Sequence, residues 1–209
     1  MAKQRPVKNR NEKRKIKKVV QIVVEGTTDK TVIESMIHKN MYQEIKFKTY
    51  SKVDGGGYTE FLSYIEKNSA ILDVVIIVAD LDRAAENLKE KQILQNLIKE
   101  LEKQNIKNNI FLTYPRIEDW LIQYFSVYQK NLKLYEFLKS SKGDIYLYDK
   151  LIQKSGNVDT AIQYYARREN DLFYMKKNYA KGKIEVDNLC KKQSNLYYIL
   201  NYFEFLNNN

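Results

Sequence analysis

Cysteine is almost absent from this sequence, since Cys190 is the single copy among 209 residues. One cysteine cannot form an internal disulfide framework, and it excludes the cysteine-rich zinc sites of small structural modules. Chains without disulfides are typical of a reducing compartment. We therefore expect a cytoplasmic protein.

Glycine and proline are scarce as well, with 7 and 2 copies. So few turn-forming residues favour long helices over a β-sandwich of many short strands. No hydrophobic run approaches the roughly 18 residues of a membrane span, and the run Val19–Val24 is too short for a signal peptide. The sequence predicts a soluble protein with no membrane partner, and its 44% apolar residues can fill a sizeable core.

Acidic residues are nearly missing from the N-terminus. Most of the net charge of +10 lies in the first 18 residues, which hold nine lysines and arginines and one glutamate. A basic arm of this kind attracts polyanions of any sequence by releasing their counterions. We interpret residues 1–17 as an arm that gathers nucleic acid, the alternative being a tail that only improves solubility. The basic residues assigned to this contact are Lys13, Arg14, Lys15, Lys17 and Lys18.

Apolar runs and amphipathic helical patterns alternate four times over residues 18–125. The predicted strands are Lys18–Val24, Ile45–Tyr50, Ile71–Ala79 and Asn109–Tyr114. The predicted helices are one that Thr27 or Thr28 caps, Tyr58–Glu66, an unbroken Ala84–Gln104 with Leu88 in its buried stripe, and Ile117–Phe125. This α/β order predicts a Rossmann-like, four-stranded, mainly parallel sheet with helices on both faces.

Residues 126–209 show helical patterns only. They lie at Tyr128–Leu138, Ile145–Gln153, Val158–Asn170 and Leu189–Phe205. We expect an α-helical C-terminal extension that packs on the sheet. The predicted organisation is therefore an arm over residues 1–17, an α/β domain over 18–125 and a helical extension over 126–209.

Carboxylates stand at or just beyond three of the four predicted strand ends. They are Glu25 and Asp29 after the first strand, Asp80 and Asp82 after the third, and Glu118 after the fourth. Ligands of open parallel sheets bind at these ends, and like charges brought together are costly without a cation. Hard oxygen ligands suit Mg²⁺ or Mn²⁺ rather than zinc. The sequence therefore predicts a divalent-cation site, with Gly26 leaving room for a close approach of backbone or phosphate.

Two short segments carry a resemblance to a known family. Val24-Glu25-Gly26-Thr27-Thr28-Asp29-Lys30 and Val78-Ala79-Asp80-Leu81-Asp82-Arg83 resemble the two signature motifs of Toprim domains, which topoisomerases, bacterial primases and several nucleases share. With the later segment Pro115–Leu121, they look most like OLD-type nucleases. Within these they look like the small stand-alone RloB-like and AriB-like effectors of phage-defence systems. Asp119 departs from the pattern of those relatives, which have a leucine there.

The resemblance implies a Toprim-like fold over residues 18–125 and a Mg²⁺-dependent endonuclease that cleaves DNA or RNA, tRNA included. It implies two bound ions. Their ligands would be Glu25, Asp29, Asp80, Asp82 and Glu118, of which Glu25, Asp80 and Asp82 would be catalytic. Arg83 and Arg116 would contact nucleic acid. OLD-type enzymes also use a lysine beyond these motifs, and Lys142, Lys150 and Lys181 all remain candidates.

The resemblance also implies a partner, an ATPase encoded in the same defence locus, and leaves a homo-oligomer open. Two other functions stay open at this point. One is an RNA-processing Toprim ribonuclease. The other is a non-catalytic module whose acids bind a cation structurally while its arm holds nucleic acid or a protein partner.

Overall fold

The structure, a computed structural model, describes residues 17–51, 57–68, 72–105, 109–113, 116–124, 133–155, 196 and 199–209. Within these ranges the strands are β1 (Lys18–Val24), β2 (Ile45–Ser51), β3 (Val74–Asp80) and β4 (Asn109–Thr113). The helices are α1 (Thr27–Asn40), α2 (Gly57–Asn68), α3 (Asp82–Glu86), α4 (Leu88–Gln104), α5 (Ile117–Tyr124), α6 (Lys133–Ser140), α7 (Leu147–Ser155) and α8 (Ile199–Asn208). No helix in the described ranges is long and apolar enough to cross a membrane.

The four strands form one parallel sheet in the order β2-β1-β3-β4. The register pairs Val24 of β1 with Ser51 on one side and with Val78 on the other. The chain moves outward from β1 to β2, then crosses back to β3, so the strand order reverses between β1 and β3. Such a switch point opens a crevice at the carboxyl ends of the two strands. The predicted α/β fold is confirmed, and every strand pairing is parallel.

Alternating side chains of the strands divide the core between the two faces of the sheet. Val20, Ile22 and Val24 of β1 point to the face that α1, α6, α7 and α8 cover. Val23 points to the other face, together with residues of α2, α3 and α4. The described C-terminal helices therefore pack on the sheet, as predicted; Phe203 of α8 is completely buried there.

The helix predicted over Ala84–Gln104 is wrong in one respect, because it is broken at Asn87. The main chain of Asn87 is extended, with φ −128° and ψ 116°, and its side chain accepts hydrogen bonds from the N–H groups of Lys89 and Glu90. That is the geometry of a helix N-cap. As a result α4 begins at Leu88, which is 72% exposed and does not belong to the buried stripe.

The cap predicted for α1 is also different. Neither Thr27 nor Thr28 caps it. The helix begins at Thr27 after an extended Gly26, and the Asp29 carboxylate accepts a hydrogen bond from the Gly26 N–H. The predictions for 158–170, and for all of 189–198 except the buried Leu196, fall outside the described residues.

Candidate metal centre

The carboxyl ends of β1, β3 and β4 meet at the side chain of Asp80. Its main-chain N–H donates to Glu25 Oε2 at 3.2 Å. Its own Oδ1 accepts from the Thr113 hydroxyl at 2.5 Å and from the Ile117 N–H at 3.0 Å. Parallel strands place their carboxyl ends at one edge of the sheet, so residues far apart in sequence converge here.

Asp29 lies in the first turn of α1, beside this junction, and is only 5% exposed. Its Oδ2 accepts the Gly26 N–H at 3.0 Å, and a β-carbon at Gly26 would lie 3.0 Å from that same oxygen. The room expected beside Gly26 is thus used by the Asp29 carboxylate. Within the described part of the chain, the buried Asp29 Oδ1 accepts no hydrogen bond.

Glu118, in the first turn of α5, and Asp82, in the first turn of α3, add two further negative charges to the site. Both are partly exposed. Asp82 Oδ1 accepts the N–H of Arg83 at 2.6 Å. The charge of Glu118 contributes to raising the pKa values of Glu25, Asp29 and Asp80, and the charge of Asp82 contributes to raising that of Glu25. The structure therefore brings all five predicted carboxylates within electrostatic reach of at least one other.

The pKa values at the site are raised because the charges are buried and mutually repulsive. Burial, followed by the charge of Asp29, raises the pKa of Asp80 to about 9. Burial, followed by the charge of Glu118, raises the pKa of Asp29 to about 7. Burial also raises the pKa of Glu25, although the Asp80 N–H and the Arg83 guanidinium oppose this rise. Without a cation, the site therefore retains protons near neutral pH.

The site's donor set suits a hard divalent cation, because every candidate ligand is a carboxylate. The buried, unpartnered Asp29 Oδ1 is an additional oxygen of the kind that such an ion would satisfy. No three acidic, histidine or cysteine side chains among the described residues are already arranged around one ion position. Glu25, Asp29 and Asp80 instead accept hydrogen bonds from the protein. Ion binding would therefore require these side chains to reorient.

The two arginines predicted to bind nucleic acid have different surroundings. Arg83 Nη2 lies 3.9 Å from Glu25 Oε1, at the centre of the site. A β-carbon on Gly57, whose φ is +57°, would lie 2.9 Å from Arg83 Nη1, so the guanidinium packs over the start of α2. Arg116 lies farther along the rim and pairs with Asp119, Nε to Oδ2, at 3.1 Å.

The basic arm joins the fold at the edge opposite the carboxylates. Lys17 and Lys18 lie at the amino end of β1, and Glu25 follows its carboxyl end. A seven-residue strand separates the two ends by about 20 Å. Lys17 and Lys18 therefore do not reach the site directly; Lys13, Arg14 and Lys15 lie outside the described residues.

Of the three candidate lysines, Lys142 precedes Gly143, which donates its N–H to Thr31 Oγ1 at 3.0 Å. Thr31 lies two residues after Asp29 on α1. Lys150 pairs with Asp144 at 2.5 Å on the protein surface. Lys181 lies outside the described residues.

Two residues that position the site were not found from sequence. Thr113 is completely buried and donates to Asp80. A polar residue ending the apolar strand Asn109–Thr113 is a signal that could have indicated it. Tyr58, whose hydroxyl donates to the Asp80 carbonyl at 2.5 Å, lies on α2 and carried no local signal.

Comparison with known protein families identifies the family to which this chain belongs. The chain matches the profile of a family described as protein of unknown function (DUF3226) over residues 19–186, which is most of its length. The chain belongs to the DUF3226 family. Its matched region starts in β1 and includes all five candidate carboxylates. No curated protein and no solved structure matches this DUF3226 chain.

Proposed function

We propose that this protein is an endonuclease that depends on Mg²⁺ or Mn²⁺ and hydrolyses phosphodiester bonds in DNA or RNA. The observation that carries the proposal is the junction at Asp80. There, carboxylates that follow three strand ends repel one another, and burial together with this repulsion raises the pKa values of Asp29 and Asp80 to about 7 and about 9. A divalent cation is the simplest partner that would let these groups ionise together.

Glu25, Asp29, Asp80 and Glu118 would hold the metal, with Asp82 at its rim. One or two divalent ions bound there would lower the pKa of a water molecule and stabilise the departing oxygen. Glu25 is suited to proton transfer, since its side chain is 29% exposed and its pKa is raised. The Asp80 N–H holds Glu25 Oε2 in place, leaving Oε1 toward Arg83.

Arg83 would bind the substrate phosphate. Its guanidinium lies 3.9 Å from Glu25 Oε1 and offsets the charge of that carboxylate. A cation that takes over this role would let Arg83 turn to a phosphate oxygen, which arginine binds in a bidentate manner. Arg116 at the rim and the arm residues, among them Lys13, Arg14 and Lys15, would contribute less specific contacts.

The biological role we propose is that of the toxic effector of a phage-defence system, with an ATPase from the same locus as partner. The support for this part is the resemblance of the motifs around Glu25 and Asp80 to stand-alone Toprim effectors. An RNA-processing ribonuclease would use the same site and differ only in its substrate.

A non-catalytic module is the second candidate, and one observation favours it. Glu25, Asp29 and Asp80 already accept hydrogen bonds from protein groups, which could make the cluster purely structural. In that case the protein would bind nucleic acid or a partner without cleaving it.

Cleavage assays separate these functions. The purified protein, alone and with the neighbouring ATPase, is incubated with labelled DNA and RNA in Mg²⁺ or Mn²⁺. We expect cleavage by the wild type and at least a hundredfold loss in a Glu25→Gln, Asp80→Asn double variant. A control with Glu100→Gln and Asp149→Asn removes one glutamate and one aspartate elsewhere, and it should cleave normally. Equal cleavage by the two double variants, or none by the wild type, would contradict the proposal.

A further inference from the structure

The outer strand β2 carries a basic and aromatic stripe on one of its faces. Lys46, Lys48 and Tyr50 alternate along the strand and are all exposed. The intervening Ile45 and Phe47 turn to the opposite face, where they pack with the core. We call Lys46, Lys48 and Tyr50 the β2 stripe.

Tyr50 is held in a stacked pair at the end of this stripe. Its ring lies 5.5 Å from that of Tyr64 on α2, with an angle of 20° between the planes. Tyr64 is partly buried, whereas Tyr50 remains 48% exposed. The packing fixes the orientation of an aromatic ring that solvent, and hence a ligand, can still reach.

The β2 stripe connects the base of the arm with the carboxylates. The register places Lys46 beside Val19 and Tyr50 beside Val23, two residues before Glu25. Tyr50 is therefore about 7 Å short of Glu25 along the strand direction and one strand, about 5 Å, to the side. Helix α2 spans the same interval, since Tyr58 at its start bonds to Asp80 and Tyr64 stacks on Tyr50.

The charge around the stripe is positive. Lys67 lies about one helical turn after Tyr64, and Glu60 lies one turn before it. Among the described residues, Lys46, Lys48 and Lys67 set three positive charges against the one negative charge of Glu60, which favours a polyanion.

We infer that the β2 stripe binds single-stranded nucleic acid and leads it to the metal centre. Lys46 and Lys48 would contact successive phosphates, and an unpaired base would stack on Tyr50. Bases in a duplex stack on one another, so a side-chain platform of this kind selects single strands. The inference names the substrate class of the proposed nuclease and rests on that function.

Lysines on an edge strand also prevent sheets from pairing edge to edge. That role predicts no effect on nucleic-acid affinity, so binding measurements separate the two. The probes are fluorescein-labelled 12-nucleotide single strands of DNA and RNA and a duplex of the same sequence. Anisotropy is recorded in EDTA, where no cleavage occurs.

For Lys46→Gln with Lys48→Gln, we expect Kd for the single strands to rise at least fivefold. The slope of log K against log salt should fall by about 1.4, as expected for two lost phosphate contacts. For Tyr50→Ala we expect a rise of about fivefold or more, since stacking on one base contributes about 1–3 kcal/mol. Tyr50→Phe should stay within about twofold. The matched control is Lys89→Gln with Lys99→Gln, two exposed lysines of α4.

The inference is overturned if the Lys46 and Lys48 variant loses no more affinity than the control, or if Tyr50→Ala binds like the wild type. If Tyr50→Ala leaves the affinity unchanged and alters only the mass measured by sedimentation, β2 is a contact between two copies of the chain. That result also overturns the inference. Failure of the nuclease proposal looks different: the stripe variants then lose binding, but the wild type cleaves nothing. Circular dichroism confirms that each variant is folded.

Discussion

The main-chain N–H of Asp80 donates to Glu25 Oε2 at 3.2 Å, although the two residues are 55 positions apart in sequence. The bond follows from the parallel pairing of β1 with β3, in which Val24 faces Val78. The sheet thus holds together two acidic side chains that would repel each other in water. What stabilises them is the backbone and the buried Thr113, which donates to Asp80 from the neighbouring strand.

Stability in the absence of metal should fall as the pH rises. The folded-state pKa values of Asp29 and Asp80 are raised to about 7 and about 9, above the ordinary aspartate value of 3.8. Protons therefore bind more tightly to the folded protein, and their contribution is complete below about pH 4 and lost progressively up to about pH 9. Thermal unfolding in EDTA at pH 5.5, 7 and 9 should show a decreasing Tm.

Asp80→Asn keeps an oxygen that can accept from Thr113 and Ile117 but removes the charge. The variant should lose much of the pH dependence and be more stable than the wild type at pH 9, by on the order of 2 kcal/mol. Mg²⁺ should stabilise the wild type more at pH 8 than at pH 5.5. Parallel Tm profiles for wild type and Asp80→Asn would show that the Asp80 carboxyl does not hold its proton as described.

Arg83→Gln should change metal and substrate binding in opposite directions. The guanidinium lies 3.9 Å from Glu25 Oε1, and both side chains are partly exposed. Removing its charge should tighten Mn²⁺ binding about threefold, since a half-exposed pair interacts by roughly 1 kcal/mol or less. Affinity for an oligonucleotide should fall about tenfold. Arg116→Gln, whose arginine pairs with Asp119, is the control; equal effects of the two variants would contradict a central role for Arg83.

Lys142 should contribute to turnover more than Lys150. Gly143 binds Thr31 beside the turn of α1 that carries Asp29, whereas Lys150 is paired with Asp144 at the surface. Lys142→Gln is expected to lower kcat at least tenfold with little change in KM, as for a group that acts in the transition state. Lys150→Gln should leave kcat within about twofold. Single-turnover cleavage rates measure both; the reverse order would exclude Lys142.

Deletion of residues 2–17 should weaken the binding of nucleic acid without slowing the cleavage step. The arm leaves the fold at Lys18, about 20 Å from Glu25 along β1. Without it, nucleic-acid affinity should fall and depend less steeply on salt, while kcat at saturating substrate stays unchanged. An unchanged affinity would leave the arm with only a role in solubility.

The sheet could be predicted from sequence because its strands are short apolar runs with clear ends. The predicted bounds of β1 are the observed ones, and the apolar run of β3 ends at Asp80. The helix break at Asn87 was missed because the apolar Leu88 fits a helical stripe. The signal was nevertheless present: Asn87 is followed three positions later by Glu90, a pattern typical of helix N-termini.

The candidate site was only partly predictable. The carboxylates could be predicted because they follow strand ends, and a parallel topology alone places those strand ends at one edge of the sheet. Thr113 and Tyr58 reach Asp80 through packing between separate elements. The Asp29 carboxylate occupies the space beside Gly26, and this depends on the exact path of the main chain there. Of these contacts, only that of Thr113 has a local signal in the sequence, the polar residue that ends the apolar run of β4.

The central claim is that the carboxylates around Asp80 form one divalent-cation site. Titration of Mn²⁺ into the protein at pH 8, followed by electron paramagnetic resonance of the free ion, tests it most directly. We predict one or two ions bound per chain by the wild type and by the Glu100→Gln, Asp149→Asn control. The Glu25→Gln, Asp80→Asn variant should bind none at the same concentrations. Binding that is equal in all three proteins, or absent from the wild type, would contradict the claim.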